Sequence, residues 1–125
     1  MRLPIELRDR TKRYASCVIQ FYVRLPKGRD EVRVLGKQLL RSGTSVASHV
    51  REASRARSDA EFCSKIDGLL QEADESQMWL ELLKEDCAIH GESTDHLLRE
   101  TDELLAIFTT IVAKTRRHSD EQLKS

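Results

Sequence analysis

Proline and glycine are scarce in this chain, two and five residues among 125. That argues against many short strands joined by tight turns, which need those residues at their reversals, and favours long helices. Aromatic residues make up only 5%. The core must therefore be built from Leu, Val, Ile and Ala, and a hydrophobic content of 39% suffices for one domain over residues 1–125. No apolar run approaches the ~20 residues that cross a bilayer. The opening segment MRLPIELRDRTKRYASCVIQFYVRL is broken by charge throughout, so the sequence predicts a soluble, cytoplasmic protein with no membrane partner.

Chemistry-bearing motifs are also missing. Cys17, Cys63 and Cys87 form an odd, widely spaced set without a CxxC pair, which excludes a disulfide framework and a zinc knuckle and leaves buried free thiols. HExxH, GxGxxG, GxxxxGK[ST] and GxSxG do not occur, nor does the Glu-x-x-His of di-iron bundles. Cys87-x-x-His90 and the Asp86, His90 pair stand alone at one helix end. The expectation is a protein without metal, cofactor or catalytic residue.

What the chain does have is charge, 34% of its residues, summing to zero but sharply segregated. Met1 to Arg57 carries 14 Lys/Arg against 5 Asp/Glu, and Ser58 to Ser125 carries 7 against 16. Either the basic half meets nucleic acid or another acidic partner, or basic and acidic helices face each other within the bundle or across a subunit contact.

Helical periodicity is strong. Leu7, Thr11, Tyr14, Val18, Phe21 and Leu25 form one stripe, ended by Pro26-Lys27-Gly28. A second stripe, Val32, Leu35, Leu39, Val46, Val50 and Ala53, follows Asp30 as N-cap. Ser58 to Glu61 fits a capping box for a third helix, whose stripe runs from Phe62 through Ile66, Leu69, Ala73, Ser76, Leu80 and Leu83 to Cys87, with Gly91 as its stop. Leu97, Thr101, Leu104, Phe108, Ile111 and Thr115 mark a fourth. The pattern predicts an all-α, antiparallel up-down-up-down four-helix bundle with helices near 5–25, 30–55, 59–90 and 94–117 and a frayed polar tail over 118–125.

One stretch breaks the pattern of ordinary amphipathic helix: RSGTSVASHVREASRARSDAEF, Arg41 to Phe62. The heptad keeps its phase on both sides, so the stretch reads as helix. Ser42, Ser45, His49 and Glu52 then form a polar stripe beside the core, suited to a hydrogen-bond network that includes Glu72 and fixes helix register, with Gly43 allowing close approach. Arg41, Arg51, Arg55 and Arg57, with Arg33 and Lys37 upstream, are candidates for binding phosphate or acidic residues such as Glu72, Asp74 and Glu75. Trp79 stands one residue off the third stripe, as a core-edge residue or an interface anchor. The alternative use of the His49, Glu52 and Glu72 stripe is metal binding or catalysis.

That stretch, together with LLQEADESQMWLELL after it, resembles the four helix bundle protein family, also called the S23 or intervening-sequence protein family. The likeness extends from RTKRYASCVIQF to the fourth helix. It implies an antiparallel bundle, a ring-like homo-oligomer, pentameric in known examples, and no established catalytic residue. Relatives include accessory variability proteins of diversity-generating retroelements, which bind nucleic acid and a reverse transcriptase through a basic surface, so RNA, DNA or a nucleic-acid-bound protein is the implied partner. Arg41, Ser42, Ser45, Arg51, Glu52, Phe62, Glu72 and Trp79 fall on the family's motif positions. His49 departs from the usual Asn, and a ring nitrogen replaces one amide hydrogen bond but not both.

Overall fold

A computed structural model describes residues 2–124. The described residues form four helices and no strand: α1 (Ile5–Arg24), α2 (Asp30–Ser54), α3 (Asp59–Glu85) and α4 (Glu92–Lys124). Each neighbouring pair is antiparallel. Gly43 of α2 lies against Val18 of α1 while Gly36 lies against Leu25. Arg41 reaches Glu75 and Glu52 reaches Lys65 across α2 and α3. Lys84 pairs with Asp95, and Arg116 with Asp67, across α3 and α4. Tyr14 meets Thr101 to close α1 on α4. The diagonal pairs α1–α3 and α2–α4 make no close backbone approach, as a square bundle requires.

The four stripes read from the sequence make the core. Val18, Val32, Leu39, Val46, Val50, Ile66, Leu69, Leu80, Leu83, Leu104 and Phe108 are all inaccessible to solvent or nearly so. Ile111 and Thr115 are only half-buried, and Val112 takes the inner position near the end of α4. A Cβ at position 43 would sit 2.9 Å from both γ-carbons of Val18. Glycine there lets α1 and α2 approach closely, so Gly43 is packing chemistry and not a helix break.

The helix ends differ from expectation in four ways. α2 is capped by Arg29 without a side-chain bond, and Asp30 is its first helical residue, paired with Arg33 at 2.7 Å. Ser58 does cap α3, accepting from the Glu61 N–H at 3.0 Å, but the Glu61 carboxylate accepts from Arg57 N–H and not from Ser58. α3 stops at Glu85, well before residue 90, because Ala88 turns into the left-handed region at φ 59° and the Ile89 N–H donates to the Leu83 carbonyl. α4 begins at Glu92 and continues through 118–124, where a frayed tail was expected. Arg116 to Asp67 and Ser119 to Asp59 hold this last stretch against α3. Ser125 lies outside the described residues. Among the described residues no helix is long and apolar enough to cross a membrane.

Candidate functional site

Halfway along the bundle each helix contributes one polar side chain to a buried layer. Ser42 Oγ of α2 and Ser76 Oγ of α3 are 2.7 Å apart, and Tyr14 Oη of α1 and Thr101 Oγ1 of α4 are also 2.7 Å apart. All four are buried. Ser76 also donates to the Glu72 carbonyl and Thr101 to the Leu97 carbonyl. Burial pushes the Tyr14 phenol above its ordinary pKa, while its polar neighbours Thr101 and Ser76 act the other way. A satisfied layer of this kind ties helix register to hydrogen-bond geometry, because sliding one helix by a turn would strand buried hydroxyls.

Only Ser42 of the five residues expected in a network belongs to that layer. Ser45 donates to the Arg41 carbonyl of its own helix, and Glu72 accepts from Arg41. Glu52 pairs with Lys65 at 2.9 Å, and this bond holds its carboxyl below the usual carboxylate range. His49 lays its ring over Gly68, with Nδ1 3.9 Å from Glu52, too far for a hydrogen bond. His49, Glu52 and Glu72 therefore do not converge on a common point. Among the described residues no group of three or more His, Cys, Asp or Glu is placed to hold a metal ion. The other members of the layer, Tyr14, Ser76 and Thr101, stand in the sequence as polar residues inside apolar stripes, but their pairing depends on the relative height of different helices.

The basic candidates separate into two groups. Arg41 is engaged on the surface across α2 and α3, 3.4 Å from Glu72 and 3.2 Å from Glu75, so it belongs to the α2–α3 contact. Arg33 pairs with Asp30, and Arg57, 92% exposed, stands 3.9 Å from Glu61. Lys37, Arg51 and Arg55 are exposed, and no carboxylate pairs with them among the described residues. Residues 33, 37, 44, 48, 51 and 55 repeat at helical spacing, so these cations share the outer face of α2 and its end with Thr44 and Ser48. Trp79 is half-buried against the core, and its indole N–H, itself shielded from solvent, finds no acceptor among the described residues.

The sequence model described as "23S rRNA-intervening sequence protein" matches residues 5–110, nearly the entire bundle. A solved structure of a protein of unknown function from the S23 ribosomal protein family of Bacteroides thetaiotaomicron VPI-5482 superposes with a TM-score of 0.75. It is 32% identical to this chain, and the alignment covers 84% of this chain and 96% of that one. No curated protein matches.

Proposed function

Since the chain belongs to the 23S rRNA-intervening sequence protein family, we propose that it is a non-catalytic, homo-oligomeric accessory protein, pentameric by family resemblance, that binds nucleic acid through the outer face of α2. The observation that carries this reading is the set Lys37, Arg51 and Arg55, exposed on or beside one rigid helix and paired with no carboxylate among the described residues. A phosphate can engage these cations without breaking an existing ion pair, whereas Arg41 would have to leave Glu72 and Glu75. Lys37 to Arg55 spans ~27 Å of helix axis, enough to follow several phosphates. Arg33 and Arg57, loosely held, extend the same surface. Nothing in this arrangement reads base edges, so the contact is with backbone phosphate and tolerant of sequence.

The family's name makes 23S rRNA fragments the natural probe. Binding measured over a salt series should fall linearly on a logarithmic scale, with a slope near 0.7–0.9 per phosphate engaged. Replacing Lys37, Arg51 and Arg55 together by Ala should lower that slope by about 2–3 and weaken all fragments alike. No retention of RNA or DNA even at low salt would overturn the nucleic-acid reading.

A further inference from the structure

The outer faces of α1 and α3 carry matching patterns. On α1, Lys12, Ser16, Ile19 and Val23 recur at spacings of four, three and four; on α3, Asp74, Met78, Glu81 and Glu85 recur at the same spacings. All eight are exposed, and the apolar members remarkably so for a bundle surface: Ile19 45%, Val23 61% and Met78 44%. Arg13 and Arg24 flank the first stripe. None of Lys12, Arg13, Arg24, Asp74, Glu81 or Glu85 has a side-chain partner among the described residues. One face is thus apolar with unpaired cations, and the other is a methionine among unpaired carboxylates.

The stripes also stand level. Tyr14 bonds Thr101 of α4, and Gln77 of α3 bonds the next residue, Asp102, so Ser76 stands at the height of Tyr14. Lys12 precedes Tyr14 by two residues and Asp74 precedes Ser76 by two; Val23 follows Tyr14 by nine and Glu85 follows Ser76 by nine. α1 and α3 run in the same direction, so the two stripes cover the same ~16 Å of the bundle's height. They occupy diagonal corners, since α1 and α3 make no close approach to each other.

We infer that the α1 outer face of one copy docks on the α3 outer face of the next. The occupant is a second copy of this chain, because the chain itself carries the surface of complementary charge at the matching height. Ile19 would bury against Met78, less than a turn away in height, with Lys12 and Arg13 facing Asp74 and Arg24 facing Glu85. Two different patches meeting make a head-to-tail contact, which propagates and closes as a ring when the rotation per step permits. The basic face of α2, between them, stays uncovered in every copy. This inference rests on the homo-oligomeric part of the proposed function and assigns its surfaces.

Sedimentation of three proteins tests it: wild type, the α1-face variant Ile19→Asp/Val23→Asp, and the α3-face variant Met78→Asp, with circular dichroism confirming that each folds. Each variant alone should be monomeric. Their equimolar mixture should form a 1:1 heterodimer, because one retains the α3 face and the other the α1 face. Variants that keep the wild-type assembly overturn the assigned surfaces while leaving the homo-oligomer standing. A monomeric wild type removes the homo-oligomer and this inference with it. Monomeric variants that do not combine overturn the head-to-tail pairing. The single reversals Lys12→Glu and Asp74→Lys give a second measure: each should weaken assembly at least tenfold, and their combination in one chain should restore it; no recovery overturns the charge pairing.

Discussion

Ser42 Oγ and Ser76 Oγ lie 2.7 Å apart with no solvent access, and each hydroxyl has a different fallback. Ser76 keeps its bond to the Glu72 carbonyl if Ser42 is removed, whereas Ser42 without Ser76 retains only a 3.4 Å contact to the Leu39 carbonyl. Ser76→Ala should therefore destabilise more than Ser42→Ala, about 2 against about 1 kcal/mol. Because the double variant strands no hydroxyl, it should cost less than the sum of the two. Urea unfolding of the four proteins gives the coupling, and strictly additive costs would show that the pair does not act as a unit.

Gly43 and Val18 set the closeness of α1 and α2. Alanine has the better helix propensity by about 1 kcal/mol, yet its methyl would stand 2.9 Å from both Val18 γ-carbons. Crowding should win: Gly43→Ala is expected to lose about 1–3 kcal/mol. Adding Val18→Ala should return part of that loss, since it removes the opposing carbons. Thermal melts of both variants check it; a stabilised Gly43→Ala would mean the helices simply part.

How much of this was legible in the sequence depends on the range of the interaction. The core stripes were legible because each is one helix's own periodicity, and Ser76 and Thr101 could be seen standing inside them. The pairing of Ser42 with Ser76, and of Arg41 with Glu75, depends on how two helices are set against each other, which periodicity within either one does not encode. The fate of residues 118–124 was hidden for the same reason: their composition is polar, and what ties them to α3 is the bond of Ser119 to Asp59, half a chain away, just past that of Arg116 to Asp67. The stop of α3 was misplaced at Gly91 because Ala88, an unfavourable residue for left-handed backbone, makes the turn.

The ion pairs predict the acid limb of stability. Arg10 donates to both oxygens of Glu100, at 2.9 and 2.6 Å, and this bond holds the Glu100 carboxyl below its ordinary value of 4.5. Asp95 beside Lys84, Glu52 beside Lys65, and Asp59 beside Ser119 and Arg2 are lowered likewise. A carboxyl whose folded pKa lies below its unfolded one stabilises the fold fully above the unfolded value and loses that contribution as pH falls through the folded one. Stability should be near its plateau above about pH 5.5 and decline below the ordinary values of 4.5 and 3.8. Glu100, with 18% of its side chain exposed, should matter most: Glu100→Gln is expected to cost about 1 kcal/mol at neutral pH and to flatten the acid limb. Urea midpoints between pH 3 and 7 would show this, and an unchanged acid limb in the variant would assign the pH dependence to the other carboxylates.

Ala88 carries the only non-glycine left-handed backbone among the described residues, φ 59°, at an exposed position between α3 and α4. An L side chain with a Cβ pays about 1–2 kcal/mol in that region, and glycine, which does not, is the usual residue where a helix ends this way. Against this stands the greater freedom glycine gives the unfolded chain, worth about 0.4–1 kcal/mol. The first effect is the larger, so Ala88→Gly should stabilise the protein by roughly 0.5–1 kcal/mol and leave the bundle unchanged. Gly91→Ala is the reciprocal case: its φ of 141° also disfavours a side chain, although nothing lies within 4 Å of the added carbon. It should destabilise through backbone strain alone. Differential scanning calorimetry of the two variants separates them, and a lower melting temperature for Ala88→Gly would show that the α3–α4 connection does not hold its left-handed turn in solution.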